Sequence, residues 1–119
     1  MPNFVNMEKN TNHTRLTQLK QMLQEEPNDP FLIYAIATEY LNIDSQQARH
    51  YFEQLLEKHE DYIATYYHAA HLYAALEEED LAKQTYEKGI EKAKAQQETK
   101  TLQELQNAYQ NYLFEIDED

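Results

Sequence analysis

The chain has 119 residues, no cysteine and a formal net charge of −12 at pH 7. Its length is that of one ordinary domain. The lack of cysteine excludes a disulfide framework, a thiolate metal site and a cysteine nucleophile. A single glycine, Gly89, excludes the glycine-rich loops that cradle nucleotide phosphates. The negative charge repels phosphate backbones and anionic lipid surfaces, so we expect no nucleic-acid partner and no membrane partner.

The two ends of the sequence look different from its middle. Residues 1–12 are rich in Asn and Thr with little apolar pattern, so we expect a disordered tail before a helical repeat domain over 13–114. Residues 115–119 are acidic, and we expect them to form a tail that frays. The start lacks the charged and apolar regions of a secretory signal. The longest uncharged stretch, 62–76, is shorter than the about 20 apolar residues of a membrane span. We therefore expect a cytoplasmic protein.

Apolar residues recur every three and four positions along the chain, as at Ile33, Ile36 and Tyr40, and this spacing predicts helices rather than strands. Helix starts are marked by capping residues, for example Asp29 followed by Pro30. We predict six helices, at about 14–26, 30–43, 45–58, 62–76, 79–95 and 99–114.

The helical pattern repeats with a period slightly above thirty residues. Ala48-x3-Phe52 recurs 34 residues later as Ala82-x3-Tyr86. The intervening helices also correspond, through Ile33, Ile36, Ala37 and Tyr40, then Tyr66, Ala69, Ala70 and Tyr73, then Leu102, Leu105, Gln106 and Tyr109. The repeated unit is therefore a pair of helices.

These residues resemble the tetratricopeptide repeat signature, W-x2-L-G-x2-Y followed by A-x3-F and P over 34 residues. One repeat is similar to Ile33-x2-Ile36-Ala37-x2-Tyr40 with Ala48-x3-Phe52, and a second to Tyr66-x2-Ala69-Ala70-x2-Tyr73 with Ala82-x3-Tyr86. The first and last predicted helices resemble half-repeats. The resemblance implies an all-α fold in which antiparallel helix hairpins stack as a short right-handed α-solenoid. A plain helical bundle built on the same apolar stripes is the alternative.

In this family the first helix of each pair lines a concave surface. The matching positions here are all uncharged: Tyr34, Thr38, Leu41, Asn42, Tyr67, His68, His71, Ala74, Gln103, Asn107, Gln110 and Asn111. The resemblance implies that this groove binds a peptide segment or a partner protein, with Tyr34 and Tyr67 as anchors. We expect the partner to be neutral or basic rather than acidic. The alternative is that these residues border a wet, shallow surface or contact the last helix.

The sequence also indicates two alternatives to a neutral peptide-binding groove. Some family members hold acidic chaperone tails with lysine and arginine, but Lys100 is the one matching basic residue here and Glu104 would repel such a tail. A different function is assembly, in which an uncovered end of the stack, around Leu16, Leu19 and Leu23, pairs with a second copy or a larger subunit.

Chemistry-bearing residues are sparse. His68 and His71 have a spacing that could place both on one metal ion, yet two ligands are too few for a site. The only serine, Ser45, lies at a predicted helix start, and the acidic run 77–80 lies at a predicted turn. We predict no catalytic residue, no metal and no cofactor.

Overall fold

The computed structural model describes the backbone of residues 4–117 and the side chains of residues 14–117. Within that part there are six α-helices and no strand: α1 (Phe4–Glu25), α2 (Pro30–Tyr40), α3 (Ser45–Lys58), α4 (Ala64–Ala75), α5 (Glu79–Ala95) and α6 (Thr99–Asp117). The predicted all-α class and the predicted number of helices are confirmed.

The helices stack in chain order. The closest pairs are the hairpins α2 with α3 and α4 with α5, while α1 packs on α2 and α3 packs on α4. At the other end α6 packs on both α5 and α4. The stack is elongated, at 53 × 35 × 22 Å. This arrangement is a short α-solenoid of helix hairpins and not the alternative, a plain bundle around one axis.

The two terminal helices are longer than expected. Helix α1 begins at Phe4, where the sequence predicted a disordered tail over 1–12, and α6 continues to Asp117, where it predicted a tail over 115–119. Neither extension contains glycine or proline, and lengthening an existing helix adds about one hydrogen bond for each residue fixed. Residues 1–3 and 118–119 of the predicted tails lie outside the described residues.

Aspartate side chains cap two of the helices, and the cap at Asp29 is the one that the sequence analysis predicted. The Asp29 side chain accepts a hydrogen bond of 2.9 Å from the Phe31 backbone N–H at the start of α2. The Asp44 side chain accepts from the backbone N–H groups of Gln46 and Gln47 at 3.1 and 3.2 Å. These bonds satisfy donors that the first turn of a helix leaves unpaired.

The core forms two clusters of buried side chains, one for each repeat. The first is largely aliphatic and joins α1 to α4: Leu16, Ile33, Ile36, Ala37, Tyr40, Ala48, Phe52, Leu55, Ala69 and Leu72. The second is rich in tyrosine and joins α4 to α6: Tyr66, Ala70, Tyr73, Ala82, Tyr86, Ala93, Leu105 and Tyr112. Helix α4 contributes side chains to both clusters. This packing fixes the position of the helix and therefore of its remaining side chains.

Candidate peptide-binding groove

Helices α2, α4 and α6 together line a groove with a volume of about 670 Å³. Tyr34 contributes from α2, and Ala64, Tyr67 and His68 contribute from α4 together with Ile63, the residue just before that helix. Thr101, Glu104, Asn107, Ala108 and Asn111 contribute from α6. The groove therefore spans the stack from the first repeat to the last helix.

Five of the residues chosen from the sequence line this groove: Tyr34, Tyr67, His68, Asn107 and Asn111. The others lie outside it: Thr38, Leu41, Asn42, His71, Ala74, Gln103 and Gln110. Leu41 packs against the first core cluster and Ala74 packs against the second. Both residues come after the residues of α2 and α4 that border the groove. The predicted concave face is thus longer than the groove itself.

His71 lies outside the groove and contacts one of its lining residues, Tyr67. Its Nδ1 atom lies 3.0 Å from the Tyr67 carbonyl oxygen and 3.0 Å from the Tyr86 hydroxyl. Its ring stacks on that of Tyr67 with 4.4 Å between the centroids. The imidazole therefore holds Tyr67 in position and links it to the buried core of the second repeat.

The aromatic side chains of the groove are held by one another. The His68 ring lies with its centroid 5.7 Å from those of both Tyr34 and Tyr67, and it stacks on Phe52 at 6.3 Å. Tyr34 also contacts Tyr62, again at 5.7 Å. Such tilted and stacked pairs are favourable arrangements for rings, so the groove is organised before any ligand arrives.

The groove is almost free of ionised groups at neutral pH. Burial, and then the nearby His71, lower the pKa of the His68 imidazole, which keeps it neutral. Burial, and then Tyr62, raise the pKa of the Tyr34 phenol. Glu104 is the one lining residue that carries a charge.

Sequence reasoning missed half of the lining residues. The predicted set does not include Glu104, Ile63, Ala64, Thr101 and Ala108, all of which line the groove. Helical spacing could have found several of them, because residues three or four apart share a face. Ala64 precedes Tyr67 and His68 by those steps, and Thr101 and Ala108 flank Glu104 in the same way.

The predicted uncovered stack end around Leu16, Leu19 and Leu23 is wrong. Leu16 is buried at 7% exposure, and the other two leucines are half-buried against the first core cluster. The apolar stripe of α1 faces α2 because that contact removes it from water. A residue on the outer side of α1, Met22, is exposed instead.

Two further properties concern metals and membranes. Over residues 14–117, no three histidine or carboxylate side chains converge closely enough to bind a metal ion. None of the helices within 4–117 combines the length and apolar character that crossing a bilayer requires.

The chain is also similar in sequence to proteins of known structure. No protein-family model matches the chain, and no curated protein matches it. A solution NMR structure of a tetratricopeptide repeat domain protein from Salinibacter ruber is 44% identical, with a TM-score of 0.68, over 72% of this chain and 88% of that one. A crystal structure of a tetratricopeptide repeat domain protein from the same organism is 42% identical, with a TM-score of 0.68, over 71% and 96% of the two chains. The chain therefore belongs to the tetratricopeptide repeat family.

Proposed function

We propose that this protein is a non-enzymatic interaction module that binds a segment of a partner protein along the groove between α2, α4 and α6. The family fold supports a general role in protein interaction. The observation that carries the proposal is the groove itself, which has two tyrosine rings on one side and two asparagine amides on the other. Its volume of about 670 Å³ is in the range of natural ligand sites.

The tyrosines would provide the apolar contacts. Tyr67 is 38% exposed, which is high for a large ring that its neighbours hold in one position. Phe31, one helical turn before Tyr34, is 59% exposed and extends this apolar surface along α2. Rigid aromatic side chains lose little entropy on binding and supply many of the strong contacts in protein interfaces.

The asparagines would provide the polar contacts. Asn107 and Asn111 are four residues apart on α6, so their side chains lie one turn apart, and both are exposed. A side-chain amide donates and accepts hydrogen bonds, so two of them can pair with the backbone of an extended segment without selecting its side chains.

Charge indicates which segments would bind. The net charge of −12 and the carboxylate of Glu104 within the groove favour neutral or basic segments over acidic ones. This charge pattern does not suit the binding of acidic tails.

Selection of phage-displayed random peptides on the purified protein tests the groove. The peptides selected should bind the Tyr67→Ala variant at least about tenfold more weakly, because the variant removes a central aromatic contact. Phe114→Ala is the matched control, since Phe114 is 68% exposed on α6 and does not line the groove. Unchanged affinity of folded Tyr67→Ala, judged by its helical circular dichroism, would contradict the proposal.

A further inference from the structure

Glu104 has no ion-pair partner among residues 14–117. Its side chain is exposed at the groove. Over residues 14–117 the ion pairs involve other carboxylates, and Glu104 takes part in none: the paired residues are Glu39, Glu53, Glu60, Asp61 and Glu78. The Glu104 carboxylate is thus available to a cation that a ligand brings.

Aromatic rings line the same cavity. Tyr34 and Tyr67 both border it, and each contacts the ring of His68. The face of an aromatic ring is electron-rich and attracts ammonium and guanidinium groups, most strongly where water is partly excluded. The neutral His68 imidazole between the two rings adds no charge that would repel a cation.

The cavity also has room for a long side chain. Ala64 and Ala108, on α4 and α6, are among its lining residues and project little into it. Lysine and arginine have long aliphatic stems that pack on apolar surface while the charged end reaches a polar partner. The stem would contact the rings, and the charged end would reach Glu104.

We propose that this part of the groove is a subsite for one basic side chain, a lysine or arginine of the partner segment, held between Tyr34, Tyr67 and the Glu104 carboxylate. This subsite rests on the proposed function, since it requires that a protein segment occupies the groove. It adds a specific requirement for one basic residue at one place in that segment.

The first test compares peptides selected from a phage-displayed random library on the wild-type chain and on Glu104→Gln. Peptides from the wild type should share a lysine or arginine at one aligned position, and peptides from Glu104→Gln should lack that preference. The same basic preference in both selections would overturn the subsite. The substitution is isosteric and at an exposed position, so both proteins should give the same helical circular dichroism.

The second test is a double-mutant cycle measured by calorimetry. One selected peptide is compared with a version in which norleucine replaces the aligned basic residue. The replacement should weaken binding to the wild type by about tenfold and binding to Glu104→Gln by less than about twofold. Equal weakening in both proteins would overturn the subsite.

Glu115→Gln is the matched control for charge. Glu115 is exposed on the same helix, lies outside the groove, and its substitution changes the net charge by the same amount. This control should behave as the wild type does. If it instead reproduces the effect of Glu104→Gln, the basic preference comes from the overall negative field, and the subsite is wrong.

The two proposals fail in different ways. Peptides that need Tyr67 but show no basic preference would overturn the subsite and leave the proposed function standing. A folded protein that selects no peptide from the library would overturn the proposed function, and the subsite with it.

Discussion

The two repeats have the same fold, but the side chains that they bury are different. Ile33 and Leu55, which are fully buried in the first repeat, correspond to Tyr66 and Gly89 in the second. An added Cβ at Gly89 would lie 2.6 Å from the Cβ of Tyr66, so the larger ring on α4 fits only because α5 has no side chain there. The packing therefore constrains the combined volume of the two facing side chains and does not require a particular residue type at either position.

The buried tyrosines also bring polar atoms into the second repeat. The Tyr66 hydroxyl donates to the Glu60 carbonyl oxygen at 2.6 Å, and the Tyr73 hydroxyl donates to the Glu53 carboxylate at 2.6 Å. The Tyr86 hydroxyl contacts His71, which supports the groove. The first repeat depends mainly on apolar packing, whereas the second also depends on directional bonds that connect its core with neighbouring segments.

Alkaline pH should affect the tyrosine-rich repeat most strongly. Burial raises the pKa of both Tyr66 and Tyr86 to about 12, and burial together with Glu53 also raises the pKa of Tyr73. The unfolded value is about 10, so the stability that these phenols contribute is complete below pH 10 and is lost as the pH rises towards about 12 and beyond.

A pH titration that follows tyrosinate absorbance and helical circular dichroism together tests this effect. We expect the late-ionising tyrosines to titrate in step with the loss of helix. The Tyr66→Phe variant has one late-ionising phenol fewer, so a smaller tyrosinate absorbance should accompany its unfolding. Ionisation of all tyrosines near pH 10 in a protein that remains helical would contradict the burial of these hydroxyls.

Substitution of the single glycine should break the close approach of α4 and α5. A glycine inside a helix usually costs about 1 kcal/mol relative to alanine, so Gly→Ala is normally stabilising. Here the added Cβ would also lie 2.9 Å from the Tyr66 Cγ atom, and we expect Gly89→Ala to lower the free energy of unfolding by about 2 kcal/mol. Urea denaturation measures this change.

The exposed Gln84 of the same helix provides the control. Gln84→Ala should change the free energy of unfolding by less than about 0.5 kcal/mol. If Gly89→Ala proved as stable as the wild type, α5 could move away from α4 without cost, and the volume argument would fail.

A buried hydroxyl in the second repeat should be replaceable with a gain in stability. Thr65 is 1% exposed and its Oγ1 atom has no hydrogen-bond partner among the described residues, whereas the corresponding residue of the first repeat is Leu32. Thr65→Val keeps the shape and removes the unpaired oxygen, so we expect the free energy of unfolding to rise by about 1 kcal/mol. A lower urea midpoint for this variant would show that the hydroxyl has a partner in solution.

The turns between the paired helices also differ between the two repeats. This difference predicts a gain in stability that is smaller than the gain expected for Thr65→Val. In the second repeat Glu77 has a φ of 60°, and the next N–H, of Glu78, donates to the Tyr73 carbonyl at 2.9 Å. In the first repeat, which is one residue shorter, the Asp44 N–H donates to the Tyr40 carbonyl at 2.8 Å. Glycine suits a positive φ, so Glu77→Gly should raise the thermal midpoint slightly, by the equivalent of about 0.5 kcal/mol.

Glu79→Gly is the control for this last change. It places glycine in the first turn of α5 instead of at the positive φ, so it should lower the midpoint. If both glycine variants lower the midpoint, the left-handed conformation at Glu77 contributes less strain than the geometry indicates.

Local signals in the sequence determined the interior helices more closely than the two terminal ones. The ends of α3 and α5 agree with the prediction to the residue, because each helix has a clear apolar stripe and a polar turn on both sides. The period of just over thirty residues then predicted the pairing of helices. Five of the residues that it placed on one surface also line one groove, since residues at the same repeat position face the same side of a solenoid.

Only the tertiary structure decided which of those residues meet. The contact between His71 and Tyr86, the fit of Gly89 against Tyr66, and the presence of Glu104 and Tyr34 in one groove depend on distances between helices. Periodicity specifies the face on which a side chain lies, but the separation of two faces depends on the volumes of all the side chains packed between them. A tyrosine in place of an isoleucine changes that volume without changing the spacing of apolar residues in the sequence. The shape of the groove is therefore decided only when the helices pack.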